Sequence, residues 1–228
     1  VAKKLAALSL YSSELNEDAM VNIGDDLAGE IAYAFAQKED DCYFNGDGTS
    51  TYGGITGCRQ KLKDVSGTIA NIKGLYVGAG NAYSELVLSD FHRVIAKLPL
   101  YARNGARWIA SATFFDTVMH PLQTAAGGNT VVDIANGGQM RFLGYPVELS
   151  QVMPTTEANS QVCALLGNFA LGSTFGDRRQ LTIALSSEYK FAEDQLAIKG
   201  TERFDIVVHD VGDTTNAGPI CGLITAAS

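Results

Sequence analysis

The sequence predicts an α+β protein with a long helix near its start, a very long strand near its end and an α/β region between them. Three observations carry this. From Asn22 to Phe44, Ile23, Leu27, Ile31 and Phe35 recur four apart, which stacks them on one face of a helix. From Asp194 to His209, Leu196, Ile198, Gly200, Glu202, Phe204, Ile206 and Val208 alternate with the intervening residues, a period-two pattern far longer than an ordinary strand. Between these two segments strand-like and helix-like stretches alternate, without an internal repeat or low-complexity linker, so a second domain must be an insertion.

Taken in order, Val1 to Tyr11 suits either a strand or a helix, because its apolar residues do not commit to one period. Ser12 and Ser13, followed by Glu14, Glu17 and Asp18, read as the cap and acidic first turn of a short helix. Asn22 is a candidate N-cap for the long helix, with Asp25 and Asp26 at its positive pole. At the other end Glu39, Asp40 and Asp41 lie at the negative pole, where basic groups of a neighbour are expected to meet them. "NGDGTSTYGG" then stops the helix with turn dipeptides that tolerate positive φ.

The inserted region offers a strand at "GLYV", a glycine turn at Gly78 and Gly80, and a helix with Val87, Phe91, Val94, Ile95 and Leu98 on one face. Asn104-Gly105 turns into the strand "ARWIAS". A helix capped by Ser111 follows and is expected to close near Pro121. "AAGGN" and "ANGGQ" mark loops, "RFLGYPVELS" a turn feeding a strand, and "VCALLGNF" and "QLTIALS" two further strands, with the longest strand after them.

The motifs exclude more than they assign. The Asp40–Gly57 run lacks the alternating ligands and closing Glu of a calcium loop and the Gly-Lys-Ser/Thr of a phosphate loop. Gly78 and Gly80 imitate a dinucleotide fingerprint, but Tyr83 stands at the third glycine and no acidic residue ends the next strand. In "LGSTFG" the serine sits one position early for a nucleophile elbow. His92, His120 and His209 have no ligand spacing, and the adjacent acids Asp40 and Asp41 would point apart. Cys42, Cys58, Cys163 and Cys221 show no C-x-x-C spacing and read as single buried thiols. No catalytic, cofactor or metal residues are assigned, and no enzyme is expected. With 17 basic and 25 acidic residues the net charge is −8, which gives no chain-wide footprint for gripping DNA or an anionic membrane. No apolar run reaches the roughly 18 residues of a membrane span, so a soluble protein is expected.

The order of "YFNGDGT", "ARWIAS…FFDTVMHPL", "FLGYPVELSQVMP", "ALLGNFALGSTFGDRRQLTIALS" and "ERFDIVV" resembles the tailed-bacteriophage major capsid protein family, whose fold is shared with encapsulin shells and herpesvirus capsid floors. The resemblance implies a discontinuous peripheral domain at 1–57 and 178–210, in which a long spine helix packs on long antiparallel strands, and an inserted axial α/β domain at 58–177 and 211–228. It makes Val1–Tyr11 a strand returning from an extended loop, with an amino-terminal arm and the outgoing half of that loop lying before Val1. It also makes Asn45–Gly57 a helix stop and inter-domain hinge.

The implied function is that of a structural subunit of an icosahedral phage or prophage capsid, forming hexamers and pentamers around double-stranded DNA without sequence-specific binding. A scaffold, a maturation protease and a portal are implied partners, the host cytoplasm the place of assembly and the virion the destination. An encapsulin-like compartment shell is the alternative, and an α/β enzyme with an unrecognised site a further one. Three departures from the family pattern stand out. Tyr52-Gly53-Gly54-Ile55 lacks the proline often found there, which implies a looser crossing. Asn168 replaces the usual Asp of L-G-D-F, so a salt bridge is not expected there. Asp194 and Thr201 occupy the places of an isopeptide Asn and its Glu, so covalent cross-linking is not expected.

Overall fold

The computed structural model describes residues 2–18, 23–127 and 140–227. Asn22 as a cap and the loop readings over 128–139 lie outside them. The fold is organised by two sheets. The first is three-stranded and antiparallel, in the order β1 (Lys3–Ser12), β8 (Gln195–Val208), β7 (Ser173–Lys190). The second is six-stranded and mixed, in the order β2 (Leu75–Val77), β9 (Ile220–Ile224), β6 (Val162–Gly167), β3 (Arg107–Ala110), β5 (Tyr145–Leu149), β4 (Arg141–Phe142).

The ambiguous first segment is a strand from Lys3 on, because alternate residues have somewhere to go. Leu5, Ala7 and Tyr11 pack into the apolar cluster beneath the long helix, while Leu8 and Leu10 face away and are exposed. Ser13–Asp18 forms the short helix α1, and Ile23–Asn45 forms α2. On α2 the four-residue ladder buries progressively: Ile23 and Leu27 are half-buried, whereas Ile31 and Phe35 pack fully against Ile198 of β8. Gly200 makes this close approach possible, since a Cβ there would lie 2.6 Å from Ile31 Cγ2 and 3.4 Å from the Phe35 ring.

β6 is buried along its whole length and separates two clusters. On one side α4 (Leu88–Lys97) presents Phe91 and Val94 to Trp108, Phe114 and Phe142, with Phe91 meeting Trp108 and Phe142 edge to face. On the other, Leu62 of α3 (Cys58–Lys63) packs with Ile72, Leu165, Ile220 and Phe44 from the end of α2.

Several sequence expectations are corrected. Val87 is not on the buried face of α4; it precedes the helix at 44% exposure, and its backbone N–H donates to Asp90 Oδ2. The helix after Ser111 does not close near Pro121. It runs as α5 (Ala112–Phe114), a π-helical turn (Phe115–Met119) and α6 (His120–Ala125). The widened turn restarts the hydrogen-bond pattern just before Pro121, which then occupies a first-turn position where no N–H is needed.

β7 spans 18 residues and exceeds β8 at 14. Register shifts between Asp177 and Arg179, Arg179 and Thr182, and Ser186 and Lys190 break its alternation, and most of its side chains are exposed, so hydrophobic period could not delimit it. Asp194 is not part of β8 but takes a left-handed conformation (φ 52°) in the β7–β8 turn. Gly78 and Gly80 do not turn with positive φ. They are close-packing positions, where a Cβ would meet the side chains of Leu86 and Glu85 respectively.

Candidate functional site

The residues most tightly organised outside the cores are those joining α2 to the six-stranded sheet. Asn45, the last residue of α2, donates from Nδ2 to the Val152 carbonyl (2.7 Å) and to Asp41 Oδ1 (3.0 Å), and accepts from Arg59 Nη1. Arg59 in turn donates from Nε to the Val162 carbonyl at 3.0 Å. One amide and one guanidinium therefore tie the helix end, α3 and the start of β6 together.

The glycine run beyond Asn45 is a clamp rather than a loose crossing. Gly57 N–H donates to Gly46 O at 2.8 Å, Gly48 N–H to Ile55 O at 2.9 Å, and Asp47 bridges Thr56. Gly48, Gly53 and Gly54 do have positive φ. Gly46 and Gly57 do not; they are needed because a Cβ would lie 2.5 Å from Cys42 O at Gly46 and 2.6 Å from Tyr43 O at Gly57. Asp47 Oδ1 accepts from Thr49 N–H (2.9 Å) and Oγ1 (2.6 Å), so an Asx turn fixes the chain direction inside the clamp.

Tyr43 fastens the same helix end to β7. Ser173 Oγ donates to Phe169 O at 2.7 Å, which leaves Tyr43 Oη to donate to Ser173 Oγ, also at 2.7 Å. Burial pushes the Tyr43 phenol well above its ordinary range. Asn168 uses its side-chain amide at a turn: Nδ2 donates to Asn104 O at 2.7 Å, beside Gly105 at φ 77°.

The three acids ending α2 are separated by the helical turn. Asp41 pairs with Lys38 at 2.9 Å, Asp40 is exposed, and Glu39 faces the sheet beside Glu202 of β8. Glu202 is only 7% exposed. Its even-numbered place among Gly200, Phe204 and Ile206 was the signal that could have singled it out. A cleft of about 470 Å³ opens beside Glu39, lined by Tyr43, Phe169, Phe175 and Ile206.

The residues weighed for chemistry are not brought together. His92, His120 and His209 are exposed on separate elements, and among the described residues no group of three or more His, Cys, Asp or Glu could hold a metal. Cys42, Cys58, Cys163 and Cys221 are buried free thiols. Burial raises all four, to about 12 at Cys58, Cys163 and Cys221. Among the described residues no helix is long and apolar enough to cross a membrane.

Large apolar side chains instead crowd the exposed parts of the three-stranded sheet. Phe175, Ile183 and Leu185 of β7 pair with Ile206, Gly200 and Ile198 and so lie on the helix side, yet remain 38–55% exposed because α2 covers β8 and β1. Tyr189 and Phe191 project at the hairpin end, at 62% and 85%.

The phage capsid family model matches residues 1–212. No curated protein matches. Among solved structures, the capsid of a native GTA particle superposes with a TM-score of 0.74 at 21% identity, over 99% of this chain and 73% of that one. A Mycobacterium phage Bobi chain gives 0.67 at 18% identity, over 100% and 73%. The holo-SrpI encapsulin complex from Synechococcus elongatus PCC 7942 gives 0.65 at 10% identity, over 98% and 74%.

Proposed function

Because this chain belongs to the phage capsid family, we propose that it is the repeating wall subunit of an icosahedral phage or prophage head, assembling into hexamers and pentamers that enclose double-stranded DNA. The family match over residues 1–212 carries the reading. The physical features agree with it. A helix clamped at its end to a second sheet makes a stiff body suited to tiling, and the exposed apolar residues of β7 and its hairpin suit burial against other copies. The net charge of −8 suits a container that holds DNA without gripping it.

The division into a peripheral domain at 1–57 and 178–210 and an axial domain at 58–177 and 211–228 belongs to this proposal. It is supported by the two separate sheets, with β7 running across the boundary at 177–178. Assembly in the host cytoplasm, with a scaffold, a protease and a portal, completes the reading. An encapsulin-like compartment shares the fold, but the family match favours the phage head.

The test is expression of the open reading frame encoding this chain, followed by gradient sedimentation and electron microscopy. Closed shells that package nuclease-protected DNA alongside their phage partners are the expected result. Shells that load a protein cargo instead would favour the compartment, and a protein that never associates at any concentration would overturn both.

A further inference from the structure

The ladder of α2 on β8 does not end with its apolar rungs. Phe35 lies over Gly200; one helical turn on is Glu39, and two strand residues on is Glu202, so the same packing sets one carboxyl over the other. Glu39 Oε1 is inaccessible to solvent and has no donor among the described residues, while Glu202, beside it, is only 7% exposed. Two ionised carboxylates are acceptors only, so a hydrogen bond between them requires a proton on one.

We propose that Glu39 and Glu202 share a single proton in the folded subunit, forming a carboxyl–carboxylate clasp that fastens the C-terminal half of α2 to β8 and loosens when that proton is lost.

The surroundings favour retention. The other charges acting on Glu39 are Asp177 from β7 and Asp40 from its own helix, both negative. Of the nearby cations, Lys38 is engaged by Asp41, and Lys3, on the β1 residue paired with Phe204, packs over Gly53. Burial first, then the hydrogen bond and charge of Glu202, push Glu39 up to about 8. An unfolded chain releases this proton near the ordinary value of 4.5, whereas the folded chain holds it to about 8. Between those values the native state binds the extra proton, so stability falls as pH rises through the interval and levels off above it.

This clasp lies within one subunit and does not depend on the capsid reading. The experiment follows the side-chain carboxyl carbons of ¹³C-labelled glutamate by NMR through a pH titration, and thermal unfolding of the unmodified chain, Glu39→Gln and Glu202→Gln between about pH 6 and 9. A glutamine supplies the shared hydrogen at every pH. One glutamate should titrate near pH 8 and vanish from the Glu39→Gln spectrum, and the fall in midpoint temperature with rising pH should be reduced in both variants. Absence of any glutamate titrating above about pH 6, or an unchanged pH slope in Glu39→Gln, would overturn the proposal. If neither variant folds, the titration of the unmodified protein decides alone.

Discussion

Gly200→Ala, made alone and together with Ile31→Ala, tests whether α2 sits on β8 as described. In the otherwise unchanged protein the new methyl would lie 2.6 Å from Ile31 Cγ2 and 3.4 Å from the Phe35 ring, about 1 Å inside ordinary carbon–carbon contact with Ile31. Overpacking of this kind costs about 1–3 kcal/mol. Replacing a strand glycine returns about 0.5–1 kcal/mol through backbone entropy, leaving a net loss of up to about 2.5 kcal/mol. Ile31→Ala alone removes a side chain that is 7% exposed and should cost about 2–5 kcal/mol. In that background the Gly200→Ala methyl enters space already vacated, so its effect should be neutral or stabilising. Urea unfolding followed by far-ultraviolet circular dichroism, with equal m values across the four proteins, gives the coupling energy. Additivity within about 0.5 kcal/mol would show that residues 31 and 200 do not touch and would refute the packing.

Asn45→Ala should cost about 1–3 kcal/mol in the same assay, because it removes hydrogen bonds to Val152 O and Asp41 and leaves Arg59 short of an acceptor. Gly57→Ala should be as damaging or worse, since its Cβ would meet the Tyr43 carbonyl at 2.6 Å and rigid backbone cannot step aside; a loss below about 0.5 kcal/mol would mean that the crossing is loose after all. A thiol reagent at neutral pH should leave Cys58 and Cys163, both fully buried and held near 12, unmodified until the chain unfolds. Asp40→Asn should weaken subunit association in low salt while leaving unfolding unchanged, because of the three acids it alone is exposed; unaltered sedimentation across a salt series would remove it from the interface.

The parts of the fold that were legible are those where burial and period agree. Ile31, Phe35, Ile198, Phe204 and Ile206 each stand at the position that helical or strand spacing requires, and each is buried. β7 was legible only from Gln180 on. Its earlier residues are exposed and its register is broken three times, so no one face selects for apolar side chains and alternation carries no signal. Pro121 misled for a related reason. Proline stops a regular helix by local sterics, but a π turn immediately before it changes which carbonyl is left without a donor, and nothing in "FFDTVMHPL" announces that turn.

The junction shows a different limit. "NGDGTSTYGG" announces turns, and turns were found at Gly48, Gly53 and Gly54. What composition could not express is that Gly46 and Gly57 are glycines because two backbones meet there, at 2.8 Å between Gly57 N and Gly46 O. The same composition serves a flexible hinge and a rigid clamp; the difference lies in long-range contacts from Asn45 and Arg59 to Val152 and Val162. Glu39 carries that argument furthest. Beside Asp40 and Asp41 it read as one of three charges at a helix end, awaiting a neighbour. Its position four residues beyond Phe35 already placed it on the buried face, and Glu202 was already in the alternating apolar register of β8. Each carboxylate violates the pattern of its own element, and the two violations coincide in space. A lone buried glutamate in either element would be a liability, whereas two that meet can satisfy one another with a single proton.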